Sequence, residues 1–445
     1  MTTVDIVAQH SIIFASATTT VNVFPPLYRG NVNPPLNETI LPTQNMPFDN
    51  PSYLGTYNLI VQSEIAAVKR YCTAHSKTAR DPARRDVLAA RVLGFLYPTL
   101  IRMRYALGDT PIAAVSTEVA SAQDNAGIYA LGNMYLDLLI SSFRTDNNSI
   151  PPPSRHPSRP CMDNLDDILA AAMKESSTPS DHRSARARTL ARDGYRCVLS
   201  DTIDASSWEQ HPAVRTLAND SGPAALSLVQ PCHIFNESLV QTLESADEED
   251  QPRRQRGAAA RRILKTFGLG NLVDLEMSKE NSDDAASATG IHDLRNIISL
   301  HHSLLVAFHD LKVILEPTDD GVPNKYNVVF ALGGLAGGYQ GLKAQVELKN
   351  FANRFKTAVE DLPLPDPRLL ALHAVCARVA YMAGAGEILD EYETKIEETR
   401  MLAQDGTSAD LLDVALSPHA YASAQEDADR WVSNTHQSTS LSSPQ

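Results

Sequence analysis

An α+β fold is predicted by three observations: apolar residues recur at helical spacing through the first third of the chain, short β-rich runs crowd the middle, and helical spacing returns towards the C-terminus. The 445 residues, 43% of them hydrophobic, can fill the cores of two or three domains. The elements follow in order. A Pro- and Asn-rich stretch from Phe24 to Tyr53 lacks any period and predicts an irregular entry. From Tyr57 to Phe143 the spacing of Leu59, Ile65 and Val68, of Val87, Ala90, Leu93 and Leu96, and of Tyr129, Leu131, Met134 and Leu138 predicts packed amphipathic helices. Residues 1–144 are thus expected to form a helical N-terminal domain. Residues 145–180, which include Pro151-Pro152-Pro153, have the composition of a linker. The β-rich runs are Cys197–Leu199, Leu226–Phe235, Lys312–Leu315 and Tyr326–Phe330. Within a C-terminal segment spanning 336–415, Leu369 to Met401 is helical by the spacing of Ala371, Ala374, Val375, Arg378 and Val379. The Ser-rich residues 416–445 are expected to fray.

Composition removes several classes of function. Cys72, Cys161, Cys197, Cys232 and Cys376 lie far apart with no CxxC pair, which argues against a disulfide framework or a self-contained zinc knuckle and for a reducing compartment. The N-terminus has no basic leader, and no apolar run of about 18 residues follows, so an intracellular, cytoplasmic or nuclear protein with no membrane span is expected. Gly333–Gly338 has neither dinucleotide-binding nor P-loop spacing, and no GxSxG or HExxH occurs, so no small-molecule cofactor is predicted. A net charge of −14 repels phosphates, so any polynucleotide contact must come from local basic patches. Two exist: Arg183, Arg186, Arg188, Arg192 and Arg196, and then Arg253, Arg254, Arg256, Arg261, Arg262 and Lys265, which follow the acidic run Glu244 to Asp250. Each could equally be a solvated face. Arg192, Arg196, Arg261 and Arg262 are the candidate nucleic-acid contacts.

Four stretches in order carry a resemblance: Arg192-Asp-Gly-Tyr-Arg-Cys-Val-Leu-Ser200, Gln230-Pro-Cys-His-Ile-Phe235, Leu294-Arg-Asn-Ile-Ile-Ser-Leu-His-His302 and Ala307-Phe-His-Asp310. Together they resemble an HNH nuclease domain, in the version found in many uncharacterised fungal proteins of about this length. The resemblance covers residues 181–335, with an insertion at about 241–290. It extends to the flanks at Leu311–Pro317, Lys325–Val328, Leu372–Ala385 and Leu402–Gly406.

This resemblance implies a central ββα-metal module and an endonuclease that hydrolyses DNA or RNA phosphodiesters with a divalent metal, Mg²⁺ or Mn²⁺. His233 matches the hairpin histidine that deprotonates the attacking water, a task for which imidazole has a suitable pKa. Asn296 matches the asparagine that orients this base or ligates the metal. The family's helix histidine falls at Leu305, and His301 and His309, each four residues away, are the substitute metal ligands. Cys232 occupies the place of a further Asp or His ligand, where a thiol is a poor partner for hard Mg²⁺. On residue type alone, His233 also reads as a core histidine, Asn296 as a turn or cap residue, and Cys197 and Cys232 as small hydrophobes. The alternative functions are an inactive HNH fold that binds nucleic acid or a protein, and a helical interaction scaffold.

Overall fold

The computed structural model describes residues 34–43, 48–122, 124–144, 182–220, 225–235, 251–270, 293–318, 320–330, 341–352, 362–386 and 388–390. The linker, Gly333–Gly338, Leu402–Gly406, the tail and most of the insertion lie outside these residues. Asn50 accepts the Ser52 N–H at 2.9 Å and Pro51 presets the first helical φ, so α1 runs Pro51–Thr73. Ser76 caps α2, Lys77–Arg102. Then come α3 (Arg104–Leu107), α4 (Thr110–Ser121) and α5 (Asn125–Met134), followed by a π turn at Tyr135–Leu139 and a 3-10 turn at Ile140–Phe143.

The helices form where the spacing predicts, but two faces differ. Every residue of α2 from Val87 to Leu100 is buried, because α1, α5 and a later helix cover it on several sides. On α1 the inward face is Tyr57, Ile60, Val61, Glu64 and Ala67, which leaves Leu59 and Ile65 exposed. This face also buries a charge. Glu64 Oε1 accepts from Arg91 Nε at 2.9 Å, both side chains being fully buried. Glu64 also accepts the N–H groups of Ile40 and Leu41 at 3.0 and 3.1 Å, while Arg91 Nη2 donates to the carbonyls of Pro35 and Glu38 at 2.7 Å each. These bonds satisfy two charges withdrawn from water and strap residues 34–43 across the bundle.

α6 (His182–Arg192) opens the central region. The predicted strand at Cys197–Leu199 is instead a turn, closed by Cys197 N–H to Thr202 O at 2.8 Å and by Asp201 N–H to Cys197 O at 2.9 Å. Left-handed backbone at Gly194, Tyr195 and Asp201 reverses the chain here, which an extended strand cannot do. β1 (Ile203–Asp204) pairs in parallel with β2 (Leu226–Ser227) across α7 (Ala205–Gln210) and α8 (Pro212–Asp220). β3 is Val229–His233 and α9 is Gln251–Thr266. A 3-10 turn at Leu294–Asn296 leads into β4 (Ile297–His301) and directly into α10 (His302–His309). β3 and β4 are antiparallel, with Val229 opposite His301 and His233 opposite Ile297.

β5 (Val313–Pro317), β6 (Lys325–Phe330) and β7 (Gln345–Glu347) form an antiparallel sheet in that order. α11 (Pro367–Ala383) is capped by Asp366 and ended by left-handed Gly384. It packs on α2, α3, the 3-10 turn before Arg144 and β5, and Arg378 pairs with Glu316 of β5. One apolar cluster therefore runs from Leu41 to Leu389, through both the helices and the strands of an α+β protein.

Candidate functional site

The chain order strand, turn, strand, helix brings two of the sequence-predicted residues together. His233 is the last residue of β3, and Asn296 immediately precedes β4, on the strand opposite. Asn296 Oδ1 accepts the Phe235 N–H at 2.9 Å and its Nδ2 donates to the Phe235 carbonyl at 3.2 Å. Its own carbonyl accepts the Ile234 N–H at 2.7 Å. An amide carries a donor and an acceptor side by side, so it can bracket one residue's backbone where a carboxylate cannot. Asn296 therefore shapes the loop that leaves His233. Both the oxygen and the nitrogen of its amide thus bond backbone.

His309 closes α10 one turn beyond Leu305. Its ring hydrogen-bonds the His233 backbone carbonyl, while burial, the larger effect, pushes the imidazole down to about 4. The ring is thus neutral at neutral pH. Nε2 is buried and has no partner among the described residues, so the proton sits on Nδ1 and a lone pair remains on Nε2. Metal-bound histidines use this arrangement, with the far N–H fixed by a carbonyl. His373 of α11, which the sequence marked only as part of a closing helix, stacks on Phe308 with ring centroids 3.9 Å apart and planes 6° from parallel. Its Nε2 lies 3.2 Å from the Phe308 carbonyl, and burial pushes it down to about 3. Phe143 meets both Phe235 and His373 edge-on. No local pattern links residues so distant in sequence.

The remaining candidates are placed elsewhere. His301 is not on the helix: it ends β4 and stands at the N-cap of α10, opposite Val229. It lies four residue steps along β4 from Ile297, the position facing His233, about 13 Å, so the two cannot share an ion. Cys232 is fully buried, and burial holds its thiol well above the usual range. Cys197 is also fully buried, its sulfur near the backbone N–H groups of His301, Leu199 and Ser200. Leu305 is 3% exposed and belongs to the core. Among the described residues no group of three or more His, Cys, Asp or Glu is placed to hold a metal. His309 Nε2 and His373 Nδ1 are both buried ring nitrogens opposite one that faces a backbone carbonyl, and of the two His309 lies on the helix that follows β4.

The first basic patch is corrected by the structure. Arg192 is completely buried and paired with Asp193. Arg196 lies 5.4 Å over the Phe351 ring and is also buried. Neither side chain faces a phosphate. On α6, Arg186 and Arg192 turn towards the strands, where the carbonyls of Val229 and Leu294 receive them. In the second patch Arg262 and Lys265 are exposed and Arg261 is half-buried. There α9 docks through Ile263, Leu264 and Phe267 on the π turn and α4, with Phe267 stacked 6.1 Å from Tyr135.

No protein-family model matches the chain, and no curated protein or solved structure matches it either. Among the described residues no helix is long and apolar enough to cross a membrane.

Proposed function

We propose that this chain is an HNH-type, endonuclease-like protein that hydrolyses nucleic acid phosphodiesters, with His233 as general base and Asn296 as the residue that sets its loop. One observation carries the reading: a single ββα unit in which Asn296 brackets Phe235 and the ring of His309 is tied to the His233 carbonyl. In this chemistry His233 takes the proton of a water as its oxygen attacks phosphorus. His309 holds the carbonyl of the base itself, and Asn296 holds the two residues that follow it. Exposed Arg262 and Lys265 attract the polyanion against the net charge of −14. A divalent ion such as Mg²⁺ or Mn²⁺ would polarise the phosphate and stabilise the leaving oxygen, and His309 is the residue to hold it through Nε2. The free thiols of Cys72, Cys197, Cys232 and Cys376 support an intracellular setting, cytoplasmic or nuclear.

A second reading is favoured by Leu305 and Cys232, apolar and buried at two places where the resemblance expects ligands. On that reading the fold persists as a module that binds nucleic acid or a protein without cutting. Plasmid nicking in Mg²⁺, Mn²⁺ or EDTA decides between them. The first reading expects metal-dependent nicking by the wild type, reduced at least ~100-fold in His233→Ala, the usual weight of a general base. A silent wild type that Leu305→His awakens establishes the second. Silence in both removes phosphodiester chemistry from this protein.

A further inference from the structure

We infer that Arg192 is a positioning residue for the His233–Asn296 loop, an inference that rests on reading this loop as the working site. A guanidinium carries five N–H groups, and in Arg192 each has an acceptor. Nε donates to Asp193 Oδ1 at 2.7 Å. Nη2 donates to Asp193 Oδ2 at 3.0 Å and to the Ile297 carbonyl at 2.7 Å. Nη1 donates to the carbonyls of Leu294 at 2.6 Å and Pro363 at 3.1 Å. Asp193 Oδ2 in turn accepts the Ser299 N–H at 3.0 Å.

The pair therefore grips the chain at residues 294, 297 and 299, on both sides of Asn296, and anchors that grip to the segment entering α11. Asn296 passes the placement on by bracketing Phe235, two residues from His233. A planar fork suits this task because the three carbonyls lie in different directions from one side chain. Lysine, with three donors on a single nitrogen, cannot span them. A buried ion pair adds little stability over apolar packing of the same volume, so its use here is better accounted for by the geometry it imposes.

Amide hydrogen exchange and histidine NMR on the full chain test the inference in wild type, Arg192→Lys, Asn296→Ala and the double variant. Arg192→Lys should keep its far-UV circular dichroism, while the Phe235 amide exchanges ~10-fold faster or more, as losing charge-assisted hydrogen bonds predicts. The Val92 amide, inside α2, should be unaffected, and the titration midpoint of the His233 ring should move. Asn296→Ala should add little to Arg192→Lys, because both act through one loop. Unchanged Phe235 exchange, equal acceleration of Phe235 and Val92, or additive effects of the two substitutions would each overturn the inference. If Arg192→Lys does not fold, Asp193→Asn, which preserves both side-chain volumes, carries the same comparison. The nuclease reading fails separately, on the nicking assay: a wild type that never cuts leaves the exchange result standing.

Discussion

Side chains that carry charge in water are held neutral at several interior positions, and this fixes how the protein responds to acid. An imidazole in an unfolded chain titrates near 6.5, whereas burial brings His309 to about 4 and His373 to about 3. Above pH ~6.5 both states leave these rings neutral; below it the unfolded chain binds protons that the folded interior refuses, so stability falls as pH drops from ~6.5 to ~4. Glu118 acts in the opposite sense. Burial raises its carboxyl from 4.5 to about 7, with the Tyr135 hydroxyl donating to it, so it removes stability as pH rises through that window. A melting-temperature series from pH ~7 to ~4 should therefore flatten in His373→Phe and steepen in Glu118→Gln. Superimposable curves would mean that these groups titrate normally. Of the candidate site, the pairing of His233 with Asn296 was legible in residue order. The burial of Arg192 was not, because its acceptors at residues 294, 297 and 363 leave no local trace.

Helices and strands show how close contact depends on a few small residues. A Cβ at Gly132 would lie 2.2 Å from the Ala89 carbonyl oxygen, so α5 crosses α2 with backbone against backbone. Gly132→Ala should cost about 2 kcal/mol or more in urea unfolding, since backbone must move. Gly55→Ala, at an exposed site of α1 with nothing within 4 Å, should be neutral or stabilising by ~0.5–1 kcal/mol. Equal effects at the two sites would contradict the helix crossing. The helical spacing located α1, α2, α5 and α11, and the β-rich runs located β3, β5 and β6. β4 was not among the predicted runs although Ile297-Ile298-Ser299-Leu300 has the β-branched content of a strand. On α1 the predicted Val68 is buried but Leu59 and Ile65 are not, and the inward face includes a glutamate paired with Arg91 that apolar spacing does not mark.

Among the described residues the largest apolar cluster draws on all three segments expected from composition, with a smaller cluster between α1, α2 and α5. α11, from the segment assigned to the C-terminal part, is wedged between the N-terminal helices and β5. Composition marks where a chain becomes polar but not which distant helix fills a groove. Unfolding should accordingly be a single transition. In a Trp431→Phe background, Trp208 fluorescence reports the central region and far-UV circular dichroism reports mainly the helices. The two denaturation curves should coincide; resolved midpoints would show that the N-terminal helices hold together alone.

The reach of Arg192 also bears on how the molecule is made. During synthesis the arginine emerges first, its Leu294 acceptor 102 residues later and its Pro363 acceptor 171 residues later. The N-terminal bundle can collapse while the ribosome is still working, because its own contacts are short in sequence. The loop bearing the candidate base cannot be seated until translation has passed Pro363. A nascent chain released before that point leaves the Arg192 guanidinium short of its Pro363 acceptor and open to water where the finished protein is dry. Quality-control machinery would meet such a chain with the face of α2 that α11 covers still bare and the central region unfinished.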